Sequence, residues 1–258
     1  MGMTYAESFL KSHIVNPERM MILEKSPQKA KELEQKGIGT VYGRPEQCVP
    51  QADLVILAVK PQDTTQLFAD LKPLVQPTQV YLSIMAGVQL ETISKALGTN
   101  KVIRAMPNLP AKIGRGMTVF TALDEVTRIE LAMVQNLVNT TGKTLYVNDE
   151  SMIDATTAIS GSGPAYVWYF MHALVKAGID MGFSQSESEL LVSQTFLGAV
   201  QLYNAGRLNL EEWIGRVCSK GGTTEAALYE MDKNQVLEKL MAGARAALRR
   251  AEELGMKL

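Results

Sequence analysis

The chain has 258 residues, enough to bury one large core or two modest ones. Hydrophobic residues make up 46% and charged residues 21%, the balance of an ordinary globular protein. A formal charge of −1 gives no electrostatic reason to expect nucleic acid or an anionic membrane as partner. No apolar run reaches the length of a membrane span, and Met1-Gly2-Met3-Thr4-Tyr5-Ala6-Glu7 has neither a basic region nor an apolar signal core. Cys48 and Cys218, the only cysteines, fit a reducing cytoplasm. No histidine lies near Cys218 in sequence, so it reads as a packing residue rather than a catalytic thiol. His13 and His172 are too few and too scattered for a metal site, and no metal is expected.

In chain order, the first half alternates. A helical pattern over Thr4–Lys11 precedes the apolar run Met20–Leu23, then a polar helix over Pro27–Gln35. Asp53–Val59 is a continuous apolar run, suited to a strand covered on both faces. A helix around Asp63–Leu71, a strand over Gln79–Ile84, a helix over Gln89–Leu97 and a strand over Lys101–Ala105 follow. Such alternation implies right-handed crossovers and a parallel sheet.

From about Ser151 onward only helical periodicities appear: Met152–Gly182, Ser186–Ala205, Leu210–Val217 and Thr224–Leu254. The expected fold class is therefore α/β, a Rossmann-type parallel sheet over residues 1–150 followed by an all-helical domain over 151–258. Val167-Trp168-Tyr169-Phe170-Met171 has no polar side, so it must be covered all round, by a subunit interface or by a deep core.

Two stretches carry chemistry. In Ser219-Lys220-Gly221-Gly222-Thr223-Thr224, two glycines and flanking hydroxyls precede a helix. That pattern is either an ordinary cap or a cradle of amides and hydroxyls for one small carboxylate. In Ile159-Ser160-Gly161-Ser162-Gly163-Pro164, glycine and proline interrupt a helical pattern at a cost of about 1 and 3 kcal/mol each. Such conflicts gather at functional or closely packed sites.

With Ala58-Val59-Lys60-Pro61, Arg104-Ala105-Met106-Pro107-Asn108 and Glu150 through Tyr166, these stretches make the chain resemble the pyrroline-5-carboxylate reductases from Met1 to about Leu254. The resemblance implies reduction of 1-pyrroline-5-carboxylate to L-proline by NADPH or NADH, the last step of proline biosynthesis, in a homodimer or a larger assembly of dimers. It makes Thr157 the candidate for the imine nitrogen, with Ser219, Gly222, Thr223 and Thr224 on the substrate carboxylate. Glu150 matches a substrate-site position where a carboxylate favours an iminium cation, or else it is a helix-start acid. Ala58, Val59, Lys60 and Pro61, with Ala105, Met106 and Pro107, would line the nicotinamide pocket at strand ends. The alternative for Lys60 is a solvated residue ending a strand.

In that family a glycine-rich loop ends in Asn-Met-Gly, so Met1-Gly2 resembles its last two residues. The first strand and most of the phosphate loop are then expected upstream of Met1, leaving the edges of two neighbouring strands unpaired. Glu24 follows a strand about 20 residues after the loop glycine, the place of an acid on the ribose hydroxyls. Lys25 and Ser26 beside it suit a 2′-phosphate, or all three form a solvated turn. Lys220, Leu109, Arg216 and Pro45 depart from the family pattern. A related cyclic-imine or ketimine reductase, and a catalytically inactive metabolite-binding relative, are the competing readings.

Overall fold

The computed structural model describes residues 1–255, the side chain of Pro61 excepted. The chain runs α1 (Gly2–Lys11), β1 (Met21–Leu23), α2 (Pro27–Lys36), β2 (Thr40–Tyr42), β3 (Leu54–Leu57), α3 (Thr64–Leu71), β4 (Val80–Ser83), α4 (Leu90–Leu97) and β5 (Val102–Met106). It continues with β6 (Gly116–Ala122), α5 (Arg128–Asn139), β7 (Gly142–Tyr146) and α6 (Ser151–Thr156), then a π-turn (Thr157–Gly161). The last elements are α7 (Gly163–Asp180), α8 (Gln185–Ala205), α9 (Leu210–Val217), α10 (Thr223–Lys233) and α11 (Val236–Gly255).

β1 pairs with β2 in one parallel sheet, and β3 to β7 form a second in sequential order. Among the described residues the end strands of the two sheets, β1 and β2 in one and β3 and β7 in the other, each have one unpaired edge. Four of the five pairings are parallel, but β6 runs antiparallel to β5, with Arg104 opposite Thr121. The reason is local. Only a short 3-10 segment (Leu109–Ile113) joins the two strands, too little for a crossover helix.

Alternation along the central strands feeds two cores. Tyr81 and Val102 face Phe68 and Leu71 of α3 and Ile93 and Leu97 of α4. Val80, Leu82, Ile103 and Ala105 face α5 and, through Tyr5 and Phe9, α1. The buried Tyr5 hydroxyl lies 3.2 Å from Thr118 Oγ1 on β6, and burial raises its pKa. Arg104 and Met106 therefore project to the α3–α4 side of the sheet.

Contacts group residues 1–162 with 247–258, and 163–246 separately. In the second unit, α7 and α8 form a helical hairpin, and Gly178 allows Ser188 to pack closely. The hairpin's apolar side chains are bare: Trp168 is 52% and Tyr169 76% exposed. The long helix expected over Met152–Gly182 is interrupted by the π-turn. That expected over Thr224–Leu254 breaks where Gln235 takes a φ of 55°.

Candidate active site

The loop after β3 meets the start of α1. A Cβ added at Gly2 would lie 2.9 Å from that of Ala58, so glycine brings the helix start against the strand end. No side chain caps α1, which leaves first-turn amides for an anionic ligand. Ala58 and Lys60 are exposed and Val59 is half-buried in this loop; the Pro61 side chain lies outside the described residues.

A second locus lies past β1. Glu24 accepts the Ser26 N–H at 2.8 Å, and Lys25 Nζ pairs with Asp70 at 2.8 Å, holding that carboxyl below its usual range. Lys25 and Asp70 share a cavity of about 590 Å³ with Arg44 and Gln47. Arg44 escaped the sequence reading, although a cation just past β2 was visible as a signal.

The most constrained part of the site is the contact between β5 and the segment 150–161. Arg104 is 1% exposed, and donates to Glu150 Oε1 at 2.8 Å and to Asp154 Oδ1 at 2.6 Å. Glu150 Oε1 also accepts the Leu90 N–H, at 2.8 Å. Glu150 thus joins α4, β5 and α6, an engagement that the sequence did not reveal. Two residues on from Arg104, Met106 Cε would lie 2.9 Å from a Cβ at Gly161. Ala105 and Pro107, on either side of Met106, are buried.

Glu150, Asp154, Thr157 and Gly161 recur at helical spacing on the stripe that faces β5. Thr157 stands half-buried on it, beyond the Arg104 anchor and toward the carboxyl end of the strand. Its hydroxyl donates to the Ile153 carbonyl at 3.0 Å, so its lone pairs are left as acceptors. The π-turn closes with the Ser162 N–H on the Thr157 carbonyl at 2.9 Å. Pro164 has no N–H to continue a regular ladder, which accounts for the conflict visible in the sequence.

In the second unit Ser219 and Gly222 form a turn that leads into Thr223 and Thr224, the first two residues of α10. Gly221 takes a φ of 74°, and its N–H donates to Glu225 Oε2 at 2.7 Å. The Gly222 N–H returns to the Ser219 carbonyl at 2.9 Å. α5, α8 and α9 each begin with a full capping box, whereas no side chain caps α10. The hydroxyls of this turn therefore do not serve as caps, and the amides opening α10 face outward. Arg216 is exposed on the last turn of α9.

A glycine-led helix start beside parallel strand ends, with an apolar helical unit following, defines a dinucleotide-dependent oxidoreductase that assembles through its helices. Comparison with known proteins narrows this class. Residues 150–254 match the family model for pyrroline-5-carboxylate reductase dimerisation, and residues 1–87 match "NADP oxidoreductase coenzyme F420-dependent". The pyrroline-5-carboxylate reductase of Pseudomonas aeruginosa is 35% identical over 90% of this chain and 85% of its own length. The chain belongs to the pyrroline-5-carboxylate reductase family. A pyrroline-5-carboxylate reductase structure from Coxiella burnetii superposes with a TM-score of 0.90 at 29% identity, covering 98% of this chain and 94% of the other. The Plasmodium falciparum structure with NADP bound superposes at 0.89 and 25% identity, over 99% and 94%. The dimerisation match makes the chain a homodimer, in keeping with the bare apolar helices. Among the described residues no helix is long and apolar enough to cross a membrane.

Proposed function

We propose that this chain reduces 1-pyrroline-5-carboxylate to L-proline with NADPH, acting in the cytoplasm as a dimer or an assembly of dimers, without nucleic acid or membrane partners. The observation that carries the reading is Thr157 on the stripe facing β5, toward the strand end at which open α/β sheets bind their ligands. The residues present fit the cofactor: Gly2 lets the uncapped start of α1 approach Ala58 at the strand end, and Lys25 with Arg44 supplies charge for a 2′-phosphate. When bound, the nicotinamide supplies the hydride for the ring carbon of the C=N bond.

Everything else falls to the protein. Thr157 Oγ1 has its proton on the Ile153 carbonyl, so it accepts a hydrogen bond from a protonated imine nitrogen. That holds the iminium in the form that receives hydride, with the proton staying on nitrogen in the product. Ser219, Gly222, Thr223 and Thr224 grip the carboxylate and orient the ring. Glu150, joined to Arg104 through Oε1, sets a carboxylate at the substrate site that favours the iminium cation. Ala58, Val59, Lys60 and Pro61, with Ala105, Met106 and Pro107, form the nicotinamide side, and the two free cysteines suit a reducing compartment.

The test is NADPH oxidation on addition of 1-pyrroline-5-carboxylate. Thr157→Ala is expected to lower kcat by about 10-fold with little change in KM, and Thr224→Ala to raise the substrate KM by a similar factor. Wild-type kinetics in both variants would remove Thr157 and Thr224 from the site. Arg44→Ala is expected to raise the KM for NADPH about 10-fold or more while leaving that for NADH unchanged. Parallel titrations with the two cofactors check this; an equal shift in both would remove Arg44 from the 2′-phosphate.

A further inference from the structure

β5 continues in extended form past its last residue, since Asn108 has φ −128° and ψ 168°. The alternation that points Arg104 and Met106 at the 150–161 segment therefore reaches Asn108 as well. Its Nδ2 donates to the Ser160 carbonyl and to Ser160 Oγ, each at 3.2 Å. Its Oδ1 accepts the Met117 N–H of β6 at 2.9 Å. The amide thus has one end on the sheet and the other on the π-turn. Three successive residues on one side of a single strand touch the segment ahead of Thr157, at Glu150 and Asp154, and behind it, at Ser160 and Gly161.

We propose that Asn108 is a positioning residue: by tying Ser160 to β6 it fixes the width of the π-turn and with it the direction of the Thr157 hydroxyl. The Ser160 carbonyl belongs to the widened turn, where the regular helical ladder is disturbed and an outside donor is needed. Without that donor the Ser160 carbonyl, which Pro164 cannot satisfy, is left unpaired and free to shift, rotating the stripe that carries Thr157. The Asp154 anchor fixes only the entry to the turn, and Met106 fills space at the exit without a directional bond. Among the described residues, Asn108 supplies the side-chain hydrogen bonds that tie the exit to the sheet. The inference rests on the proposed catalytic role of Thr157.

Asn108→Asp isolates the contact. Aspartate keeps an acceptor for the Met117 N–H but brings an oxygen, not a donor, against the Ser160 carbonyl. The expected result is a fall in kcat of about 10- to 100-fold, the scale of a small misplacement of a reacting group, with the KM for NADPH within about twofold. The thermal midpoint should stay near that of wild type, because the two bonds lost are long, at 3.2 Å, and only half-buried. A cycle with Thr157→Ala provides the second measurement: if Asn108 acts through Thr157, Asn108→Asp should have little further effect on kcat in the Thr157→Ala background. A slow Thr157→Ala enzyme combined with an Asn108→Asp effect of equal size in both backgrounds overturns the inference alone. So does wild-type kcat in Asn108→Asp. Wild-type kcat in Thr157→Ala overturns the catalytic reading, and the positioning role with it.

Discussion

Arg104→Met should destabilise the protein by about 3 kcal/mol, near the lower end of the 3–5 kcal/mol expected when one partner of a buried ion pair is removed. Arg104 is enclosed, whereas the side chains of Asp154 and Glu150 are 14% and 29% exposed, so water relieves part of their mutual repulsion. The remaining cost comes from two carboxylates facing each other across a space shaped for a guanidinium. Against a total stability on the order of 5–15 kcal/mol, such a loss is large. Urea unfolding at matched protein concentration measures it, since a dimer's stability depends on concentration. The triple variant Arg104→Met, Glu150→Gln, Asp154→Asn should recover most of the loss, because neutral amides remove the repulsion. A single variant within about 1 kcal/mol of wild type would show that the acids relax into solvent and that the cluster does not hold α6 to the sheet.

The same cluster marks the limit of what the sequence discloses. β1, β3, β4 and β5 were legible because each is an apolar run bounded by polar residues, the pattern of a strand covered on both faces. β6 and β7 mix threonine, glycine and lysine with apolar residues, and β2 has only three residues, so none stands out from a loop. The α5 start did carry a signal, Thr127 with Glu130 three residues on, which forms a full capping box. The Ser219–Thr224 turn stood out because its glycines and hydroxyls are contiguous, within six residues. Glu150 was not, since the Arg104 and Leu90 groups that it binds lie 46 and 60 residues away in sequence. The one hint was an arginine inside an otherwise apolar strand, which implies a buried counter-charge without saying whose.

Gly222→Ala separates the cradle from the fold. Gly222 has a φ of −84°, which alanine adopts freely, so the backbone itself is not strained by the change. The added Cβ would nevertheless sit 2.6 Å from Ser219 Oγ and 2.9 Å from the Ser219 carbonyl oxygen. The serine hydroxyl can turn away, but the carbonyl is backbone, so the turn must open. Opening it moves the Thr223 and Thr224 amides off any carboxylate they hold, and a charge-assisted hydrogen bond lost there is worth about 1.5–3 kcal/mol. The KM for 1-pyrroline-5-carboxylate should therefore rise about 10- to 100-fold, while the KM for NADPH stays close to wild type and the thermal midpoint falls modestly as the turn opens. Gly221→Ala makes the control from the other direction. At φ 74° it meets no neighbour within 4 Å but forces a side chain into left-handed backbone, costing about 1–2 kcal/mol of stability. If both alanine variants lose only stability and bind substrate as wild type does, the turn is a plain helix start and the substrate carboxylate is held elsewhere.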